Sequence, residues 1–203
     1  PGARAAVRQG QRIGIWATPA TAKSHAYRAA IQEMNPDIPC WEIGCTKFVP
    51  LIESGKLRGA EARATILDYL NPLLAEGIDT LVYGCTHYPL LAAELLEVLP
   101  EGIQPVNPAV SLVSAVRKEL ECLGLLARGR KGATQFFVTG NDADRFAHLA
   151  ARLLTPTTGA FRGVHPLIRV RSVCLDAVPV ADGAALEERS LDAALMPFPL
   201  HAE

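Results

Sequence analysis

A cysteine, a threonine and a histidine stand together in the run Val82-Tyr-Gly-Cys-Thr-His-Tyr-Pro-Leu-Leu91. Cys85 follows an apolar stretch that reads as a buried strand, and Gly84 permits a tight backbone path into it. Pro89 occupies a favoured first-turn position for the next helix. A thiol placed there faces a helix N-terminus and the imidazole of His87, and both favour thiolate over thiol. The hydroxyl of Thr86 and the free N–H groups of a helix start suit a carboxylate. One hexapeptide therefore offers a candidate base, a proton partner and an anion cradle. A lone cysteine after a strand also serves as a small core residue, and the spacing alone leaves both readings open.

The remaining reactive residues carry less. Cys40 and Cys122 fall in a strand and a helix and read as core. Cys45 follows Gly44 and precedes Thr46, so it imitates the setting of Cys85. Cys174 lies in a C-terminal stretch of little pattern. The five cysteines are odd in number and contain no CxxC pair, which argues against a disulfide framework and against a thiolate metal cluster. His25, His148, His165 and His201 show no metal-ligand spacing with one another or with the cysteines. No glycine-rich phosphate loop occurs, since Gly14 and Gly84 have no partner glycines. No lysine sits in a strand-end turn where a pyridoxal aldehyde would be held; Lys23 and Lys47 are at helix starts and read as solvated. The expectation is an enzyme without cofactor or metal.

The elements that must position Cys85 alternate. Arg12–Trp16 reads as a buried strand. Thr18-Pro-Ala-Thr21 then turns, with Thr21 the expected cap of one helix running to about Met34. Pro39–Ile43 is a second strand, and Thr46–Glu53 a short helix with Pro50 in its first turn. Glu61–Glu76 is an amphipathic helix, its apolar residues Ile66, Leu67, Leu70, Leu73 and Leu74 at helical spacing, closed by Gly77. Asp79–Tyr83 is the third strand, Leu90–Leu99 a helix, Ile103–Val106 a strand and Ala109–Leu123 a helix. Ala127–Gly132 is a basic, glycine-bearing connection. Gln135–Thr139 is a strand, followed by a helix from Asp142 to Leu154 capped by Asn141 or Asp142, and Ile168–Val173 a last strand. Residues 177–203 show little periodicity and read as disordered. Strands alternating with helices define an α/β fold with a mostly parallel sheet. Sites in such folds lie beyond the carboxyl ends of the strands, which is the address of both 17–21 and 84–89.

Composition narrows the class. Apolar residues make up 49% and charged residues 20% of the 203, which fits a globular core. A net charge of −1 gives no bulk attraction to nucleic acid or acidic membranes. No stretch of about eighteen apolar residues occurs, so no transmembrane helix is expected. There is no basic segment followed by an apolar one at the start, so no signal peptide is expected. A reducing cytoplasm suits the free thiols.

Gly84-Cys-Thr-His-Tyr-Pro89 resembles the second signature of the glutamate racemases, within the aspartate/glutamate racemase superfamily. Other segments resemble that family in order and spacing. They are Pro1-Gly-Ala-Arg-Ala-Ala, Ile13-Gly-Ile-Trp-Ala-Thr-Pro-Ala-Thr21, Phe48-Val-Pro-Leu-Ile-Glu-Ser-Gly55, Phe137-Val-Thr-Gly-Asn and Phe146-Ala-His-Leu-Ala. The resemblance covers about residues 1–154. It implies a parallel-sheet, three-layer α/β domain over residues 8–115, elements at 116–175 that complete an N-terminal α/β domain, and a tail from 176. It implies a cofactor-independent racemisation of glutamate for peptidoglycan synthesis, with one cysteine on each face of the α-carbon. Cys85 takes one of these roles, His87 assists its proton traffic, and Glu53 stands close to the histidine. Thr86 binds substrate, and Thr18 and Thr21 correspond to a substrate-side threonine turn. The residues alone allow plainer roles: a cap for either threonine and a solvated helix end for Glu53. Where the family carries an acid near position 107, this chain has Asn107. The family's Asp-Ser pair, Pro-Tyr-Gly turn and Cys-Asn-Thr motif do not occur in this sequence, so the chain is expected to be a piece that is inactive and poorly soluble alone. A homodimer is left open. The competing expectations are a sister enzyme acting on aspartate or a hydantoin, and a non-catalytic pseudoenzyme or binding module.

Overall fold

Three apolar segments build the centre of the molecule. A computed structural model of the chain describes residues 1–127, 136–139, 142–154 and 170–172. Strand β1 (Ile13–Ala17) is buried at every position, as is β3 (Thr80–Tyr83). Runs without a polar alternation are what a parallel sheet covered on both faces requires. With β2 (Cys40–Gly44) and β4 (Gln104–Val106) they form a four-stranded sheet in the order β2-β1-β3-β4, every pair parallel. Ile13 lies opposite both Cys40 and Thr80, and Trp16 opposite Ile43 and Tyr83. The carboxyl ends of β1, β2 and β3 therefore stop at one level.

The period-two alternation of the strands divides the core in two. Ile13, Ile15 and Ala17 of β1 and Val82 of β3 face one layer, with Ala3 and Ala6 of α1 (Gly2–Gln9) and Ile31 of α3 (Ala26–Met34). Trp16, Leu81 and Tyr83 face the other, with Phe48, Leu51 and Ile52 of α4 (Phe48–Glu53) and Ile66, Leu70 and Leu73 of α5 (Ala60–Ala75). Helices on both faces of a parallel sheet make the three-layer α/β domain expected from the sequence. Helix α1, which local pattern did not announce and which precedes the expected boundary at residue 8, belongs to this layer. It packs through alanines small enough to bring its backbone close to the sheet.

The second layer is held by aromatic edges. Phe48 is fully buried, and its ring meets those of Trp16, Tyr69 and Tyr88 at centroid distances of 4.9, 4.9 and 5.1 Å, all steeply inclined. Edge-to-face pairs of this kind add roughly 0.5–1.5 kcal/mol each beyond burial. Tyr88 comes directly from the Cys85 segment, so the cluster anchors that segment to the core.

Several expectations are corrected. The helix expected from Thr21 to Met34 is two helices, α2 (Pro19–Ser24) and α3, broken at His25, whose backbone is left-handed at φ 53°. The cap is Thr18, whose hydroxyl accepts from Thr21 N at 3.4 Å. The helix expected at Leu90–Leu99 is a 3₁₀ turn, Tyr88–Leu91, running into the single turn α6 (Ala92–Leu95). Cys122, expected in the core, is exposed, because α7 (Pro108–Cys122) buries none of its residues. Beyond it, β5 (Phe136–Val138) and β6 (Val170–Ser172) pair in parallel as a separate two-stranded sheet beside α8 (Ala143–Leu154). Asp142 caps α8, accepting from Arg145 N at 2.8 Å. The basic connection and the expected tail disorder fall largely or wholly outside the described residues.

Candidate active site

The site begins where β3 stops. Gly84 N still donates to Trp16 O, at 2.7 Å, so the chain hugs β1 for one residue beyond the strand. A Cβ at Gly84 would stand 2.6 Å from that same carbonyl oxygen. Close approach, rather than an unusual backbone angle, is why glycine is needed there. The chain then folds into the 3₁₀ turn: Tyr88 N donates to Cys85 O at 3.3 Å and Leu90 N to His87 O at 3.0 Å. This places Cys85 half-buried, against the aromatic layer, with its thiol at the carboxyl edge of the sheet.

The thiol has a line of partners. Cys85 Sγ lies 3.8 Å from His87 Nδ1. The other ring nitrogen, Nε2, lies 3.7 Å from Glu53 Oε1, at the last residue of α4. In the neutral imidazole that carries its hydrogen on Nε2, toward the carboxylate, the Nδ1 lone pair faces the sulfur. The Sγ–Nδ1 contact is within the longer hydrogen-bond range of sulfur, whereas the His87–Glu53 pair is an ion-pair contact beyond hydrogen-bond length. Cys85, His87 and Glu53 thus stand in line, an order in which a thiol, a base and an orienting group can act.

On its open side Cys85 lines a cavity of about 320 Å³, together with Tyr27, Tyr83, Thr86, Asn107 and Leu112. Apart from Cys85, the titratable side chains in the cavity wall are two phenols. Burial pushes the Tyr83 phenol up to about 12. Burial, and secondarily the Cys85 charge, also raises Tyr27. Both phenols therefore stay protonated at neutral pH and offer O–H groups rather than charge. Thr86 is exposed at the cavity mouth. Asn107 is also the cap of α7, its side-chain oxygen accepting from Ala109 N at 3.0 Å.

The structure brings four of the sequence candidates together: Cys85, Thr86, His87 and Glu53. Thr18 and Thr21 lie at the carboxyl end of the neighbouring β1, their hydroxyl oxygens 2.9 Å apart. They sit on the same edge of the sheet but outside the lining of the Cys85 cavity. Cys45, after β2, resembles Cys85 only in sequence. It is buried, its S–H donates to Ile43 O at 3.5 Å, and burial pushes the thiol far above its ordinary range. Tyr27 and Tyr83 escaped the sequence reading because nothing local marks a wall residue. Arg145, whose Nη2 lies 3.9 Å from Glu53 Oε2, escaped because the contact spans the chain. Among the described residues, no group of three or more His, Cys, Asp or Glu is placed to hold a metal ion. No described helix is long and apolar enough to cross a membrane.

The domain is a parallel α/β scaffold with a cysteine and a histidine side by side at its carboxyl edge. The profile of the Asp/Glu/Hydantoin racemase family matches residues 1–116, and the chain belongs to that family. It is 51% identical over 140 residues to a glutamate racemase of Rippkaea orientalis, covering 69% of this chain and 50% of that protein. A glutamate racemase of Microcystis aeruginosa is 50% identical over 154 residues, covering 76% of this chain and 54% of its own length. Among solved structures, a glutamate racemase isoform of Bacillus anthracis superposes with a TM-score of 0.76 at 30% identity, over 86% of this chain and 62% of that one. The glutamate racemase of Thermus thermophilus, in complex with β-chloro-D-alanine, gives 0.70 at 32% identity, over 86% and 60%. The chain spans about half the length of the curated relatives it matches.

Proposed function

We propose that the chain is the Cys85-bearing part of a glutamate racemase, which interconverts L- and D-glutamate without a cofactor by proton transfer between two cysteines. The observation that supports this most is the line from Cys85 to His87 to Glu53 at the end of β3. In one direction the Cys85 thiolate takes the α-proton of glutamate, and the C–H electron pair passes into the carboxylate-stabilised carbanion. In the other, the Cys85 thiol delivers a proton to that carbanion and is left as thiolate. His87 Nδ1 holds or returns the proton at sulfur, and Glu53 keeps the ring in the tautomer that allows it. Thr86, with the cavity beside it, receives a substrate carboxylate. Thr18 and Thr21 complete the substrate-side edge.

Inversion needs a second acid/base on the opposite face of the α-carbon. Cys45 cannot serve, being buried and bonded to Ile43 O. In this reading the second thiol comes from residues outside the chain. Residues 8–115, together with α1, then form the second racemase domain, and 116–175 pack on its partner domain. The face of α7 is consistent with such packing, since Val110, Leu112, Val113 and Val116 are exposed at helical spacing. The enzyme would act in the cytoplasm, supply D-glutamate for peptidoglycan, and use no metal. A homodimer belongs to the same reading and is read from the mass of the complete protein in solution.

The test is loss of the α-proton signal of L- and D-glutamate in D₂O, followed by NMR with the complete protein. Glutamate exchange from both enantiomers supports the reading. Faster exchange of aspartate or a hydantoin would move the assignment to a sister enzyme. No exchange of any of these would leave a binding module. The 203 residues alone are expected to be poorly soluble and not to racemise, and racemisation by them would overturn the two-thiol partition.

A further inference from the structure

Glu53 has two partners, one for each oxygen. Oε1 faces His87 Nε2 at 3.7 Å, and Oε2 faces Arg145 Nη2 at 3.9 Å. Arg145 does not come from the sheet domain. It lies in the first turn of α8, beyond the residues 1–116 that match the family profile. That turn is fixed locally by the Asp142 cap, and α8 is fixed to β5 by the contact of Phe146 with Phe136, with ring centroids 6.0 Å apart. The Arg145–Glu53 pair joins the small β5–β6 unit to the sheet domain.

We propose that Arg145 is a positioning residue of the active site, holding Glu53 so that its other oxygen fixes His87 with the Nδ1 lone pair toward Cys85. The proposal rests on the acid/base role given above to Cys85. Glu53 is 43% exposed at its side chain, so without a second partner it has free rotamers that turn the carboxylate into solvent. His87 would then lose the acceptor that makes Nε2 the protonated nitrogen. Among the described residues, the charged or titratable groups recorded around His87 are Cys85 on its own turn, Glu53 from α4 and, through Glu53, Arg145 from α8. The order of effects is therefore short: Arg145 sets Glu53, Glu53 sets the His87 tautomer, and the tautomer sets how readily Cys85 gives up its proton. It also makes the thiol responsive to whether the small unit is docked.

The experiment uses the complete protein and two readouts that do not need turnover. Nitrogen-15 spectra of His87 report its tautomer, and alkylation of Cys85 by iodoacetamide, followed peptide by peptide across pH, reports thiol reactivity. Wild type is expected to show mainly the Nε2–H tautomer. Arg145→Gln should mix the tautomers and slow Cys85 alkylation near neutral pH by about two- to fivefold, the range of an exposed ion pair. Arg145→Lys should recover part of that loss, which a merely structural defect would not allow. In a Glu53→Gln background, Arg145→Gln should add nothing. Unchanged tautomer and reactivity in Arg145→Gln would overturn the proposal. So would an effect of equal size with and without Glu53. Absence of glutamate exchange from the wild type would instead count against the racemase reading, and the tautomer result would still stand by itself.

Discussion

Alanine at Gly84 is the substitution that joins packing to chemistry most directly. The added Cβ would lie 2.6 Å from Trp16 O, 3.1 Å from Tyr27 Cε2 and 3.3 Å from Ile15 Cγ2. The nearest of these is backbone in the central strand and cannot swing aside. The Tyr27 ring can yield by a few tenths of an ångström, but it forms a wall of the Cys85 cavity. The Gly84 N–H to Trp16 O bond of 2.7 Å must lengthen with any retreat. Overpacking of this kind costs about 1–3 kcal/mol. For a domain of this size that lowers the midpoint of thermal unfolding by roughly 2–12 °C. The activity loss should be larger than the stability loss. Cys85 is the next residue, and a displacement of about 1 Å at the reacting atom costs on the order of a hundredfold in rate. Calorimetry and α-proton exchange on the same preparation separate the two. Full exchange activity together with an unchanged midpoint would refute the argument that close approach of β1 dictates glycine here.

Three other perturbations follow from the same geometry. Phe48→Ala empties the middle of the four-ring cluster and should destabilise by about 3–5 kcal/mol, read from chemical unfolding; a loss below about 1 kcal/mol would mean the cluster repacks. Glu94, buried on α6, accepts from Arg63 Nε at 2.9 Å and from Gly59 N at 3.3 Å, which holds its carboxyl below the ordinary 4.5. A lowered folded-state value contributes stability that is present above pH 4.5 and lost as pH falls through the folded value. Wild type should therefore lose stability over that acid window while Glu94→Gln, weaker above it, converges with wild type below it; parallel pH curves would refute the assignment. Cys122→Ser should leave both fold and thiol-dependent chemistry unchanged, since Cys122 is exposed at the end of α7, and a lost activity on that change would point to a second working thiol within the chain.

Much of this was legible in the residues. The centres of β1 and β3 stand out because parallel strands covered on both faces are largely apolar, and the turn at 84–89 announces itself through the glycine, thiol, imidazole and proline in sequence. Glu53 was legible only through resemblance, because its approach to His87 depends on α4 ending at the level where β3 ends. What local pattern hid was set by distant partners. Thr21 to about Met34 reads as one helix; the chain breaks at His25, whose Nδ1 lies 2.8 Å from the buried carboxylate of Glu42 on β2. Helix α1 was missed because its buried residues, Gly2, Ala3 and Ala6, are small and only weakly apolar. Cys122 was misplaced because the periodicity of α7 is real, but its apolar face is not covered by any described residue.

The central claim is that Cys85 is one of the groups that moves the α-proton. Its most direct test is α-proton exchange of glutamate in D₂O by the complete protein, comparing wild type with Cys85→Ala. The account predicts that exchange falls by about a hundred- to ten-thousandfold, the contribution of a positioned acid/base, while the thermal midpoint is largely retained. Exchange by Cys85→Ala at close to the wild-type rate would contradict it and return Cys85 to the core residues.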